Sequence, residues 1–180
     1  MHPLLIALAV FVGVVSLLNL LLVLGVVRRL REHADRISRL SPDPPNPMLA
    51  VAERADAFDA VTVEGERVSR AGLSGLTLVA VVSQDCPACA ERLPRFLEFA
   101  GAHPGGRDQV LAVVVGEADE AGAQVAALTP VARVVIESME GSITKALKVR
   151  GFPAFGILDE EGTMVTAGTN PDWLTVPARA

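Results

Sequence analysis

The stretch from Leu76 to Ala100 constrains the fold more than any other, because it carries a strand, a pair of cysteines and a helix in succession. Residues 76–82 form a continuous apolar run rich in valine, the pattern of a strand buried on both faces. The motif CPAC at residues 86–89 follows, and apolar side chains then recur at helical spacing. The sequence therefore predicts two cysteines at a strand-to-helix junction.

The position of these cysteines has chemical consequences. Backbone N–H groups at a helix start carry partial positive charge and favour a thiolate. We therefore expect Cys86 to be the nucleophile and Cys89, one turn further, to be the resolving thiol. Asp85 opposes this because a neighbouring carboxylate disfavours a thiolate, whereas Arg92 is placed to counter Asp85. The sequence leaves the outcome of this competition open.

Two segments of the chain resemble the thioredoxin-like superfamily, in particular its membrane-tethered TlpA/ResA-like and MauD-like thiol–disulfide oxidoreductases. The first is the strand, CPAC motif and helix, and the second is residues 149–159, which resemble the loop around the superfamily's cis-proline. The resemblance covers roughly residues 58–168 and implies an α/β fold, with a central mixed sheet flanked by helices. It also implies that Pro153 follows a cis bond from Phe152, packs against the cysteines and presents the preceding backbone to substrate.

The same resemblance implies an activity, which is disulfide exchange with cysteine-containing protein substrates. Its site residues would be Cys86, Cys89 and Pro153, with no cofactor and no metal. A membrane redox partner would supply or accept the electrons.

The chain departs from the family at three positions around the motif. Asp85 replaces the aromatic residue that often precedes the first cysteine. Ala80 stands where cytosolic thioredoxins carry a buried acid, and Arg92 stands where the ResA-like branch has a glutamate. The base that deprotonates the resolving thiol is therefore unassigned, and Glu91, next to Arg92, is a candidate for it.

Composition narrows the classes of partner and cofactor. The chain has 2 Cys, both in the motif, so a disulfide scaffold or a tetrahedral zinc site would lack ligands. We expect His2, His33 and His103 to be solvated and not to bind metal. The net charge is −5, and no basic patch is interleaved with aromatic residues, which argues against binding nucleic acid.

The amino-terminal region predicts a membrane anchor. Residues 3–27 contain no charge, whereas a helix needs about 20 apolar residues to cross hydrocarbon. A cleaved signal peptide would begin with basic residues, but here the arginines follow the apolar run, at positions 28, 29 and 31. We therefore predict an uncleaved transmembrane helix, with residues 3–27 in the lipid bilayer.

Three segments follow from these patterns: a transmembrane helix with a juxtamembrane helical extension (1–40), a proline-rich linker (41–56) and the thioredoxin-like domain (57–180). Four prolines between positions 42 and 47 end the helix and stiffen the linker. The arginines after the span favour a cytoplasmic domain under the positive-inside rule. Disulfide-bonded substrates occur mainly outside the cytoplasm, which favours an extracytoplasmic domain. We expect a single-pass cell-membrane protein with an extracytoplasmic domain.

Within the domain, strands and helices alternate, as in a layered α/β structure. The predicted elements are an opening hairpin around residues 57–69, strands at 76–82, 110–115 and 131–136, short helices at 117–128 and 142–148, and a closing hairpin of 154–158 and 164–167.

Two other functions remain open at this point. A peroxiredoxin-like peroxidase would use Ser83, three positions before Cys86, although Val79 replaces the proline that such sites carry. A non-catalytic thioredoxin-like adaptor or metal carrier would hold a soft ion such as Cu(I) between Cys86 and Cys89.

Overall fold

A computed structural model describes residues 46–118 and 120–174, together with eight helical positions between residues 11 and 25. The chain divides into two compact units, Met1–Pro44 and Pro45–Ala180. Most of the predicted anchor at 3–27, and all of the extension at 28–40, lie outside the described residues. Among the positions that are described, no helix is both long enough and apolar enough to span a bilayer.

The second unit has the alternating elements that the sequence predicts. Its described strands are β1 (Asp59–Val61), β2 (Arg67–Ser69), β3 (Thr77–Ser83), β4 (Val110–Val115), β5 (Arg133–Glu137), β6 (Ala154–Leu158) and β7 (Met164–Gly168). Its α-helices are α1 (Pro87–Gly101), α2 (Gly122–Leu128) and α3 (Ser142–Ala146), and short 3-10 turns occupy Arg70–Gly72, Arg107–Gln109 and Pro171–Trp173.

The main sheet has five strands in the order β5-β4-β3-β6-β7. Strands β3, β4 and β5 are parallel, whereas β6 is antiparallel to both β3 and β7. The sheet is therefore mixed, as expected, and the strand that precedes the cysteines lies at its centre. Strands β1 and β2 pair antiparallel in a separate hairpin, which confirms the opening hairpin.

Both faces of the main sheet are covered, which explains why β3 reads as a continuous apolar run. Alternate residues of β3 enter two separate cores, with Val79 and Val81 in one and Ala80 and Val82 in the other. Helices α1 and α2 contribute Phe96, Ala100 and Leu128 to the core around Ala80. Helix α3, the β1–β2 hairpin and the residues that flank them contribute Ile143, Leu147, Phe58 and Val68 to the other.

The domain begins earlier than the sequence predicts. Met48 and Leu49 are each 1% exposed, and both belong to the core beneath the hairpin. The Leu49 N–H donates to the Leu147 carbonyl at 2.7 Å, and the Arg150 N–H donates to the Pro47 carbonyl at 2.8 Å. The interpretation of residues 41–56 as a linker is therefore wrong from residue 47 onward, because apolar residues after the last proline are buried by distant parts of the chain.

Two helices are shorter than predicted. Helix α2 begins at Gly122, because the residues before it form a tight turn in which the Glu120 N–H donates to the Glu117 carbonyl at 3.2 Å. Helix α3 ends at Ala146, and Lys148 adopts a left-handed conformation with φ of 49°. A left-handed residue just after a helix is a common way to terminate it.

Candidate functional site

The cysteine pair lies where β3 passes into α1. Cys86 is the N-cap of α1 in an extended conformation, and Pro87 occupies the first helical turn. A proline is well suited to this position because its missing N–H would have no helical partner. The Cys86 N–H donates to the Ser83 carbonyl at 3.3 Å, which ties the cap to the end of the strand. The predicted strand–cysteine–helix junction is confirmed.

Cys86 and Cys89 form a disulfide, with their Cα atoms 5.2 Å apart. This separation lies within the range that disulfides ordinarily span. Cys86 Sγ also accepts a hydrogen bond from the Cys89 N–H at 3.1 Å, so the sulfur lies against the first turn of the helix. Cys86 is half-buried, whereas Cys89 is only 1% exposed. A partner thiol therefore reaches Cys86 more easily, in keeping with its expected role as nucleophile.

Pro153 lies at the same edge of the sheet as the cysteines. It is buried and follows a cis peptide bond from Phe152, as the resemblance implies. Strand β6 pairs Ala154 with Val81 of β3, so Pro153 lies beside the last residues of the strand that leads to Cys86. Phe152 and Cys86 both pack against the core on the α1 side of the sheet.

The residues at and beside the positions where the chain departs from the family pattern differ in burial. Ala80 is fully buried, so no acid lies at that point of β3. Glu91 is exposed whereas Cys89 is buried, and the position of Glu91 therefore lends no support to its role as the base. Arg92 is half-buried, and its Nη1 donates to the Thr169 carbonyl at 2.9 Å.

A group of polar side chains beside the cysteine loop could not be found from the sequence. The Gln84 amide donates to the Glu120 carboxylate at 2.5 Å, and the Gln124 amide donates to the Ser83 carbonyl at 3.2 Å. These contacts join β3 to the turn before α2 and to α2 itself. Their partners lie far apart in the chain, and no local pattern marks them.

His103 differs from the prediction that it is solvated. It follows the far end of α1 from the cysteines, is 8% exposed and accepts a hydrogen bond from the Gly105 N–H through Nδ1 at 3.2 Å. Burial lowers the pKa of its imidazole, since the charged form loses solvation. Among the residues that the structure describes, no three His, Cys, Asp or Glu side chains gather in a group able to hold a metal ion.

Comparisons with known proteins agree with this geometry. No protein-family model matches the chain, and no curated protein matches it. Solved structures do match it. One is a thiol:disulfide interchange protein from Bacteroides sp., which is 19% identical to this chain. The match covers 66% of this chain and 81% of that chain, with a TM-score of 0.54. The thioredoxin domain of a thiol-disulfide oxidoreductase from Bacteroides vulgatus matches with 19% identity, coverage of 69% and 91% and a TM-score of 0.56.

StoA from Bacillus subtilis is also similar, with 24% identity, 64% of this chain and 88% of that chain covered and a TM-score of 0.51. All three matches have low identity, so what they establish is the architecture. The residues that follow the amino-terminal unit have the thioredoxin-like fold, with a CPAC disulfide at the junction of the central strand and the first helix.

Proposed function

We propose that this protein is a membrane-tethered thiol–disulfide oxidoreductase that exchanges disulfides with cysteine-containing proteins through Cys86 and Cys89. The observation that carries the proposal is the Cys86–Cys89 disulfide at the N-terminus of α1, with one sulfur accessible and the other shielded. Exchange requires an attackable sulfur and a second thiol close enough to resolve the mixed disulfide. The two cysteines meet both needs.

In the oxidising direction, a substrate thiolate attacks Cys86 Sγ. A substrate–Cys86 bond forms as the Cys86–Cys89 bond breaks, and Cys89 leaves as a thiolate. The second substrate thiolate then attacks the substrate sulfur of the mixed disulfide, which releases Cys86 as a thiolate. The substrate loses two electrons, the pair gains them, and the substrate's two protons end on the pair or in solvent. In the reducing direction every step reverses.

Pro153 and the backbone before it supply the surface for the substrate in this proposal. Phe152 and Cys86 are both half-buried and pack against the same core, which is why we assign the Phe152 backbone to the surface beside the accessible sulfur. An extended substrate segment placed here would bring its own cysteine to Cys86. Residues 3–27 would hold the domain at the bilayer, close to a membrane redox partner.

The test uses the full-length protein in a mild non-ionic detergent and a peptide that contains two cysteines. In a glutathione redox buffer, which recycles the Cys86–Cys89 pair, wild-type protein is expected to oxidise or reduce the peptide over many turnovers. Cys86→Ser abolishes exchange, whereas Cys89→Ser accumulates a stable mixed disulfide through Cys86, because the resolving thiol is gone. A Cys86→Ser protein that still forms the mixed disulfide at the wild-type rate contradicts the assigned order.

The same preparations separate this proposal from the two alternatives. Catalytic consumption of peroxide with thiol recycling, in the absence of peptide exchange, would support a peroxidase. Stoichiometric retention of Cu(I) by the reduced protein without disulfide turnover would support a metal carrier.

The side of the membrane is tested separately. With Cys86→Ser and Cys89→Ser in place the chain contains no other cysteine, so Ser41→Cys introduces a unique thiol. A maleimide that cannot cross membranes labels it in intact cells if the domain is extracytoplasmic. Labelling only after the cells are broken would place the domain in the cytoplasm.

A further inference from the structure

Arg92 occupies an unusual position on α1. Cys89, Arg92 and Phe96 follow one another at intervals of three and four residues, so they lie along one face of the helix. Cys89 and Phe96 are buried in the core, and Arg92 between them is half-buried. Side chains three residues apart on a helix are neighbours, with Cβ atoms about 5–6 Å apart. A half-buried arginine therefore lies one helical turn from the shielded cysteine, on the same face of the helix.

The anchor of Arg92 keeps it at the cysteine end of the sheet. Its Nη1 donates to the Thr169 carbonyl at 2.9 Å. Thr169 directly follows Gly168, which pairs with Phe155 of β6, so this carbonyl lies at the level of Ala154. Ala154 in turn pairs with Val81, near the end of the strand that leads to Cys86. Helical side chains also lean toward the helix N-terminus, which directs the arginine toward Cys89 and away from the far end of α1.

The other charges near Cys89 are farther into solvent. Asp85 precedes the helix cap, Glu120 lies on the turn before α2, and Arg150 precedes the cis-proline loop; all three are exposed, as is Glu91 on α1 itself. Exposed charges are screened by water and salt more strongly than partly buried ones. Among the described residues, the half-buried guanidinium of Arg92 is thus the charge placed to act on Cys89 most directly. An arginine keeps its charge at every relevant pH.

We propose that Arg92 is a positioning residue that stabilises the thiolate of Cys89 and thereby raises the reduction potential of the Cys86–Cys89 pair. The inference rests on the proposed function. When the pair is reduced, two electrons enter, the S–S bond breaks, and each sulfur becomes a thiolate that either keeps its charge or takes a proton from solvent. The cation favours the charged form of Cys89, which exists only in the reduced state. Reduction of the disulfide is therefore favoured, and the pair is a stronger oxidant than it would be without Arg92.

The expected size of this effect follows from the geometry. An opposite charge within about 4–6 Å shifts a pKa by roughly 1–3 units, and for a partly exposed charge that is one helical turn away and bonded to Thr169 we expect a shift of about one unit at most. A shift of about one unit makes the equilibrium constant for reduction about tenfold smaller once the charge is removed, at a pH at which Cys89 is ionised in both proteins. For a two-electron couple, a tenfold change corresponds to about 30 mV.

The experiment compares Arg92→Gln, Arg92→Lys and Arg95→Gln in the full-length protein. Arg95 is the matched control, since it lies on the same helix but is exposed and paired with Asp172 and Glu98. The potential of each variant is measured by equilibration with glutathione at a series of pH values that spans the ionisation of Cys89, and the thiolates of the reduced protein are titrated by ultraviolet absorbance. Arg92→Gln is expected to raise the pKa of Cys89 and to lower the potential by about 30 mV at the alkaline end of this series. Arg92→Lys restores most of both, and Arg95→Gln matches wild type.

Equal potentials and equal thiolate titrations in Arg92→Gln and Arg95→Gln would overturn the inference. A loss in Arg92→Gln that Arg92→Lys fails to restore would also overturn it, because the role would then lie in the shape of the side chain and not in its charge. A protein that equilibrates with glutathione but exchanges with no protein or peptide dithiol would contradict the proposed function alone. The thiolate titration needs no substrate, so it tests Arg92 in either case.

Discussion

Phe96 of α1 and Phe155 of β6 make the aromatic contact that holds the cysteine helix against the strand that follows Pro153. Their rings stack with centroids 5.3 Å apart and planes 20° from parallel, and both side chains are fully buried. Replacing either ring by leucine keeps an apolar side chain but removes the stacking. We therefore expect Phe96→Leu and Phe155→Leu each to lower the free energy of unfolding, by roughly 1–2 kcal/mol.

The double variant isolates the contact between the two rings. Aromatic pairs contribute about 0.5–1.5 kcal/mol beyond the area they bury, so the cost of the double variant should fall short of the sum of the single variants by that amount. Phe58 supplies the control, because it is buried in the core on the other face of the sheet. Phe58→Leu combined with Phe96→Leu should be additive within about 0.5 kcal/mol.

The assay is urea denaturation of the oxidised full-length protein, followed by circular dichroism. Equal slopes against denaturant would show that the variants change stability without changing the surface exposed on unfolding. Additivity of Phe96→Leu and Phe155→Leu, or coupling of Phe58→Leu with Phe96→Leu as large as that of the stacked pair, would refute the reasoning.

The remaining predictions concern a close approach in the sheet and a buried histidine. A Cβ atom at Gly156 would lie 2.8 Å from Met164 Sδ, so we expect Gly156→Ala to lower the free energy of unfolding by roughly 1–3 kcal/mol. Gly122 has open space around it, so Gly122→Ala should leave the free energy of unfolding unchanged. Equal melting temperatures of the two variants would contradict this prediction. Burial lowers the pKa of His103 in the folded state, so the unfolded chain binds the extra proton first, and stability should fall as pH decreases below about 6.5 until the folded pKa is passed. Urea denaturation across this range should show a smaller fall for His103→Gln, and an unchanged pH profile would show that His103 does not cause it.

The elements around the site were predictable because their signals are local. The valine-rich run at β3 and the proline at the start of α1 each specify a conformation through nearest neighbours and period alone. The hairpin of β6 and β7 follows from two short apolar runs separated by a turn. The placement of Pro153 came from the family resemblance and not from any local pattern, since the same proline in another chain would ordinarily be trans.

Burial and long-range pairing were decided by the tertiary structure. Met48 and Leu49 follow a run of prolines and look like linker, yet they are buried because Leu147 and its neighbours lie over them. His103 looks like a loop residue, yet it is almost completely buried beyond the end of α1. The physical reason is the same in both cases, since the surface that a side chain loses depends on which distant segments the sheet brings above it.

The sequence by itself determined that two cysteines stand three positions apart at the start of a helix, a spacing at which local geometry allows them to form a disulfide. Only the folded chain decided what surrounds them. It is the register of β6 on β3 that brings Pro153 beside the strand leading to Cys86, and it is the contact of Arg92 with Thr169 that fixes the guanidinium at the end of β7. Charges act over a few ångströms, and which charges come that close is a property of the tertiary structure.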